Sequence, residues 1–503
     1  MDILSSTLLG LKVASEPLNL GYCFLGTILG TLVGVLPGLG PAATIALLLP
    51  ITFKLTSVQA VIMLSGIYYG AMYGGSTTSI LVNIPGEASC VTTCFDGHAM
   101  AKKGRAGAAL GISAFGSFIG GTAGIVALQF LGAPLAAFAL RFGPPEYFGL
   151  LMMGMILVIY LSSKSIVNGL IMAALGVLFA SIGVDVITAD KRFTMNIPDI
   201  ADGIEVVSMV MGLFGISEVL LNLEKEFRVD KVYKTKFRDL FPTALDWINS
   251  RWAIVRGTVI GFFLGILPGG GAMLSNFVAY AMEKKFAKNP EEFGTGRIEG
   301  VAAPETANNA ASTASFIPLL ILGIPPNIVL ALLIGTFMIH GLQPGPLMIT
   351  EHPQLFWGTV MSMYIGNIMC MVFNLPMIGV WVQLLKMPYK VLFPLIILFC
   401  AVGSYSINSS FFDVEVMLIF GVIGYILRKL EYELGPFVLA FIISKMLETS
   451  LRQSLTMSGG DFSIFFTRPI AAVTVIAAII FSLLAVLPSL NKLRLTVAES
   501  ADD

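Results

Sequence analysis

Long charge-poor runs separated by short polar turns set the pattern of this chain. They cover 18–51, 58–73, 77–84, 106–140, 147–161, 166–184 and 206–223. After a polar interval they resume at 253–282, 312–339, 356–385, 391–405, 411–427, 437–443 and 470–487. About 20 apolar residues make one bilayer-crossing helix, so the pattern predicts an all-α polytopic membrane protein of about a dozen spans. Runs too short to cross, such as 77–84, read as half-helices or re-entrant segments.

Composition agrees. Only 12% of the 503 residues are charged, against roughly 25% in a soluble domain, so the chain lacks the charged surface that several water-soluble domains would need. The lipid bilayer is therefore a partner. A net charge of -1 excludes a polybasic nucleic-acid binder. Five cysteines, Cys23, Cys90, Cys94, Cys370 and Cys400, lie in or near apolar segments and imply no disulfide framework. Cys90 and Cys94 are one helical turn apart, but with only His98 nearby they make a poor ligand set for a metal. Lys12 alone precedes the first run and no small-residue cleavage site follows, so no cleaved signal peptide is expected.

The polar interval divides the chain into a first transmembrane repeat (1–223), a cytoplasmic linker (224–252), a second repeat (253–490) and a polar tail (491–503). Lys225, Arg228, Lys231, Lys234, Lys236 and Arg238 make the linker basic. Across it the chain repeats itself. Gly26-Thr-Ile-Leu-Gly30-Thr-Leu-Val-Gly34-Val-Leu-Pro37-Gly38-Leu-Gly40 aligns without a gap with Gly257-Thr-Val-Ile-Gly261-Phe-Phe-Leu-Gly265-Ile-Leu-Pro268-Gly269-Gly-Gly271, an offset of 257 − 26 = 231. Ser76-Thr77-Thr-Ser79 resembles Ser312-Thr313-Ala-Ser315 at an offset of 236, and Asn83-Ile84-Pro85-Gly86 resembles Gly323-Ile324-Pro325-Pro326 at 240. The flanking loops reverse in charge. In the first half 87–105 carries Lys102, Lys103 and Arg105 while 52–57 carries one base; in the second, 283–297 carries four bases and 341–354 none. Because bases concentrate on the cytoplasmic side, the repeats are expected to have inverted topology, with 102–105, the linker and 283–297 all cytoplasmic. Secondary transporters are built this way, with substrate held where broken helices meet.

Glycine every fourth residue makes a strip without side chains on one helix face, and the plain reading of Gly26, Gly30 and Gly34 and their counterparts is a packing seam. Pro37, Gly38 and Gly40 are different: a proline removes an amide donor inside an apolar run, so the helix breaks there. Such a break survives in a membrane only where protein or water satisfies the freed groups. Pro268, Gly269 and Gly271 repeat it. A helix starting near Pro41 would aim free amides and a positive dipole end at the break, an anion site without a basic side chain.

Neutral polar groups surround this motif: Ser76, Thr77, Ser79 and Asn83 from one half, and Ser275, Asn276, Asn308, Asn309, Ser312, Thr313 and Ser315 from the other. For the hydroxyls the alternative is bonding back to their own helix. Glu87 and Glu305 are the nearest acids, either carriers of a proton or cation or exposed loop carboxylates. Glu146, Glu218 and Asp413 are further charges within or beside spans, and Glu448 reads as an ion pair with Lys445.

At these residues the chain resembles the large membrane subunit of the bacterial tripartite tricarboxylate transporters. The likeness rests on Gly34-Val-Leu-Pro37-Gly38-Leu-Gly40-Pro41, Tyr69-Gly70-Ala-Met-Tyr73-Gly74-Gly75-Ser76-Thr77, Asn83-Ile84-Pro85-Gly86-Glu87 and Ala303-Pro304-Glu305-Thr306-Ala307-Asn308-Asn309-Ala310, and extends over essentially the whole chain. The second repeat departs only in Gly270 where the first has Leu39, and Ala272 where it has Pro41. The resemblance implies a cation-gradient-driven importer of carboxylates in the inner membrane, working with a small membrane subunit and a periplasmic substrate-binding protein. The coupling ion, sodium or proton, and the particular carboxylate stay open, and no other cofactor is expected. A passive anion channel is the rival reading. An enzyme is disfavoured because His98, His340 and His352 form no HExxH or Ser-His arrangement, and a primary pump because no GxxxxGK[ST] loop occurs.

Overall fold

A computed structural model describes residues 3–36, 40–162, 165–185, 187–195, 197–224, 237–269, 271–384 and 389–486. Pro37 and Gly38 of the first break, the linker bases from Lys225 to Lys236 and the tail 491–503 lie outside the described residues.

The protein is an all-α membrane protein. Among the described residues, strand structure is limited to one antiparallel ladder pairing Gly183 with Arg192 and Val184 with Lys191. Among the described residues five helices are long and apolar enough to cross a bilayer: Pro17–Val35, Ala106–Ala139, Val206–Leu223, Pro353–Asn374 and Leu434–Met457. Seven shorter apolar helices of 10–17 residues accompany them. Large apolar side chains such as Leu18, Phe24, Phe130, Val473 and Leu483 point outward from these helices, as lipid-facing residues do.

Two helices are enclosed on all sides. In Ser57–Val82 every residue from Ala60 to Leu81 is buried, and in Glu299–Ala314 every residue from Gly300 to Ala314. Each has a glycine-striped partner. A Cβ on Gly26, Gly30 or Gly34 would collide with the carbonyl oxygens of Met63, Ile67 and Ala71. One on Gly257, Gly261 or Gly265 would collide with those of Ala303, Ala307 and Ala311. Missing side chains thus let each pair of backbones approach to van der Waals contact. The acceptor residues are 240 positions apart in each case (63 and 303, 67 and 307, 71 and 311).

This register corrects one sequence alignment. At 240 the counterpart of Ser312 is Met72, so the match of Ser76 with Ser312 at 236 is slipped by four residues, about one helical turn, a slip that preserves the small-residue face. The Asn83 match at 240 agrees with the register. Asn83 ends its helix in the left-handed conformation (φ 59°, ψ 32°) and Gly323 does the same (φ 70°, ψ 19°), where asparagine and glycine are the tolerated residues.

Other boundaries shift too. Segment 77–84 is no separate half-helix: Ser57–Val82 runs through Gly74 and Gly75, launched by a capping box between Thr56 and Gln59. Its two glycines serve packing, since a Cβ on Gly74 would overlap the Thr31 carbonyl and one on Gly75 would press on Cys90 and Glu87. The helix expected from 253 begins at Ala244, where Thr243 and Asp246 form a capping box and Arg105 pairs with Asp246 at 2.5 Å. Run 312–339 is interrupted by a π-helical turn, Pro318–Leu322, and restarts at Ile328 with Asn327 as N-cap.

Segments distant in the chain meet near Asp96 and Gly107. Gly107 and Gly111 abut the carbonyls of Asp239 and Leu240, and Gly296 lies against Met100. The buried Asp96 carboxylate accepts from the amides of Gly294 (3.0 Å), Gly296 (2.7 Å) and Arg297 (2.7 Å), and from the Tyr280 hydroxyl (2.9 Å). Elsewhere, Leu49 of the Leu49–Lys54 turn approaches Gly335 of Ile328–Ile339, and His340, which follows that helix, contacts the Thr52 backbone.

Candidate functional site

Both broken segments are locally dictated. Pro17–Val35 ends at Leu36, and Pro41–Leu48 starts with proline in its first turn and Gly40 as N-cap. In the second half Ala244–Ile266 ends before Pro268, Gly269 turns the chain with φ 78°, and Gly271–Phe286 begins with Gly271 at φ 51°. Each break meets the break of the helix packed beside it. The Gly269 amide donates to the Pro326 carbonyl at 2.9 Å. A Cβ on Gly86 would overlap the Gly34 carbonyl, and one on Gly40 would lie 3.3 Å from Glu87 Oε2. The Gly269 bond gives one amide freed by the second turn a protein partner, as hydrocarbon demands.

Glu305, on the helix packed against both broken helices of the second half, is fully buried. It lies on the enclosed helix, not in an exposed loop, so the loop reading of this residue is corrected. Its carboxylate accepts hydrogen bonds from the Ser76 and Thr93 hydroxyls of the first half, with Ser113 and Ser117 also in hydrogen-bonding reach. Among the described residues no Lys or Arg pairs with it, whereas the ion pairs found here all involve other acids.

The other candidates fall into three groups. Ser76, Asn308 and Asn309 face this interior. Asn308 Nδ2 donates to Cys90 Sγ at 3.6 Å, and Asn309 Nδ2 to Ser117 Oγ at 2.7 Å and to the Glu305 carbonyl at 3.2 Å. The side-chain oxygens of both asparagines are buried without a hydrogen-bond partner. Ser79, Ser312 and Thr313 are buried but bond to backbone carbonyls: Ser79 to Gly75 and Cys90, Ser312 to Asn309, Thr313 to Asn309 and Ala310. Thr77 is buried, whereas Asn83 is exposed at its helix end. Of the break residues, Gly40, Pro268, Gly269 and Gly271 are described, and a Cβ on Gly269 would run into the Val158 backbone.

Three further acids within or beside spans have polar partners. Glu218 bonds Arg428 and Asn222, Glu146 bonds Arg468 at 2.6 Å, and Asp413 accepts from Asn408 at 2.9 Å. Glu448 pairs with Arg192 and Arg452, not with Lys445, because the ladder brings Arg192 beside it and Arg452 stands at i+4. Thr93, Ser117 and Asp96 were missed by pattern reading. Ser113 and Ser117, one turn apart in a glycine- and alanine-rich helix, were the available signal.

The profile of the tripartite tricarboxylate transporter TctA family matches residues 20–439, which include both breaks and the Glu305 helix. The chain is 47% identical over 494 residues, 98% of each chain, to an uncharacterized 52.8 kDa protein in the TAR-I ttuC' 3' region of Agrobacterium vitis. It is 48% identical over 234 residues, 46% of this chain and 97% of the other, to an uncharacterized protein in the TAR-II ttuC' 3' region of the same organism. No solved structure matches the chain. With a family match across most of its length and a relative 47% identical over 98% of each chain, the chain belongs to the tripartite tricarboxylate transporter TctA family, a family of multi-pass membrane transporters that work with partner subunits.

Proposed function

We propose that this chain carries out secondary active uptake of a small tri- or dicarboxylate across the bacterial inner membrane, driven by a cation gradient. Family membership supports the carboxylate class. The observation that carries the mechanism is the meeting of two broken helix pairs at a buried interior whose groups are hydroxyls, amides and one unpaired carboxylate. Free amides at Pro41–Leu48 and Gly271–Phe286 suit an anion, and the polar turns are tolerated because they line a protein interior. A substrate with two or three negative charges entering such a site needs compensating cations, which is the physical reason to expect coupling.

Two repeats of opposite orientation would supply alternating access. The contacts of loops 96–105 with 294–297, and of the 49–54 turn with 335–340, support this arrangement. Pro37, Gly38, Gly40, Pro268, Gly269 and Gly271 hold the substrate carboxylates in this reading. A periplasmic binding protein delivers substrate and a small membrane subunit completes the assembly.

Reconstitution tests it. In liposomes containing the chain with both partners, an imposed sodium or proton gradient should drive a labelled tricarboxylate above equilibrium. Equilibration that never passes the outside concentration, under either gradient, would establish the passive channel instead.

A further inference from the structure

The enclosed helix Glu299–Ala314 carries an unusual polar stripe. Glu305, Asn308, Asn309 and Ser312 stand at i, i+3, i+4 and i+7, so they share one face, with the two asparagines straddling the line through Glu305. All four are buried. Glu305 accepts from two hydroxyls, while Asn308 Oδ1 and Asn309 Oδ1 accept from none. A buried amide oxygen left without a donor costs about 1–3 kcal/mol, and two of them flank a carboxylate. One turn on, Ser315 donates to the Gly265 carbonyl at 2.9 Å, next to the second break. In the other direction Asn308 reaches Cys90, which packs on Gly75 beside Glu87, and Glu87 adjoins Gly40 of the first break.

We propose that this face binds one dehydrated alkali-metal cation, held by the Glu305 carboxylate, the Asn308 and Asn309 side-chain oxygens and Ser312 Oγ. The charge fits: one carboxylate against one monovalent ion, where a divalent ion of the calcium type takes several carboxylates and more ligands. The number of acceptors distinguishes an ion from a proton. A proton on Glu305 creates a single donor and leaves at least one amide oxygen unmatched, whereas a cation engages several oxygens at once. Ser117 Oγ accepts from Asn309 Nδ2 and so fixes which end of that amide faces the ion. Bound there, the cation lies between the two breaks and lowers the cost of bringing a carboxylate to either helix end. The inference rests on the uptake reading for its purpose, not for its geometry.

The test is equilibrium binding to the purified full-length chain in nanodiscs, without partners or gradients. Radiolabelled sodium is the probe, with potassium, lithium and choline chlorides as competitors, and thermal melting as a second readout. Saturable binding of one ion per chain is expected, with a melting temperature that rises with sodium or potassium chloride and not with choline chloride. Glu305→Gln keeps one acceptor oxygen for one of the two hydroxyls, and the other hydroxyl can turn to accept from the new NH2, so it should fold, matching wild type in choline, yet lose binding at least tenfold. Asn309→Ala should weaken binding about tenfold, the scale seen when metal-site support is removed. The proposal is overturned if no alkali ion binds, if both variants bind as wild type does, or if stabilisation follows pH and ignores alkali ions. Because no transport is measured, those failures leave the uptake reading to its own liposome test. Conversely, ion binding with purely passive carboxylate flux would sink the uptake reading alone.

Discussion

The Ser76 hydroxyl donates a hydrogen bond to the Glu305 carboxylate, joining residues 229 positions apart. One belongs to the enclosed helix of each half, so this contact ties the two broken-helix assemblies at their centre. The carboxylate has no cationic side chain to balance it among the described residues, and each hydroxyl donor therefore carries weight. Ser76→Ala should remove about 1–3 kcal/mol of support and lower uptake at least tenfold while Thr93 keeps its own bond. Normal uptake kinetics in Ser76→Ala would show that the pair is only structural packing.

The glycine seams make a sharper claim than periodicity alone supports. A methyl group at Gly30 would strike the Ile67 carbonyl and one at Gly261 the Ala307 carbonyl, both backbone atoms that cannot rotate away. Gly30→Ala and Gly261→Ala should each lower stability by about 1–3 kcal/mol, so neither is a mild substitution. Thermal melting in detergent measures this. Gly271→Ala meets nothing within 4 Å but sits at a left-handed φ of 51°, so its cost should come from backbone strain, about 1 kcal/mol.

Asp96 is tied to the other half by the amides of Gly294, Gly296 and Arg297 and by the Tyr280 hydroxyl. Charge-assisted bonds of this kind exceed neutral ones, and Asp96→Asn should destabilise the chain by about 2–4 kcal/mol, since the new NH2 group faces donors. A Cβ on Gly300 would overlap the Asp96 carboxylate. In a double-mutant cycle Gly300→Ala should be far less damaging once Asp96 is alanine. Strict additivity of the two changes would contradict the contact.

Sidedness can be read with cysteines because the five native thiols are buried. Single cysteines at Lys103 and Thr295 should behave alike toward an impermeant thiol reagent added outside intact cells, both staying unlabelled. Cysteines at Phe53 and Gln343 should both label. Labelling of 103 together with 53, or protection of all four, would remove the inverted orientation.

Much of the architecture follows from sequence for local reasons. Apolar runs in a charge-poor chain have nowhere stable but a bilayer, prolines between glycines cannot continue a helix, and a gapless glycine repeat imposes the same close-packed pair twice. What the sequence could not determine is register and enclosure. A helix face repeats every 3.6 residues, so a small-residue pattern slipped by one turn looks the same, and only backbone contacts placed Ser312 opposite Met72 and not Ser76. Glu305 looked like a loop acid because its segment is polar and alanine-rich, yet it is the fully buried one: the surrounding helices, not the helix's own hydrophobicity, take it out of solvent. Asp96 and Ser117 gained their roles only when residues distant in the chain supplied donors to them. Burial and hydrogen-bond partnership are properties of what surrounds a residue, which is why tertiary structure alone decided them.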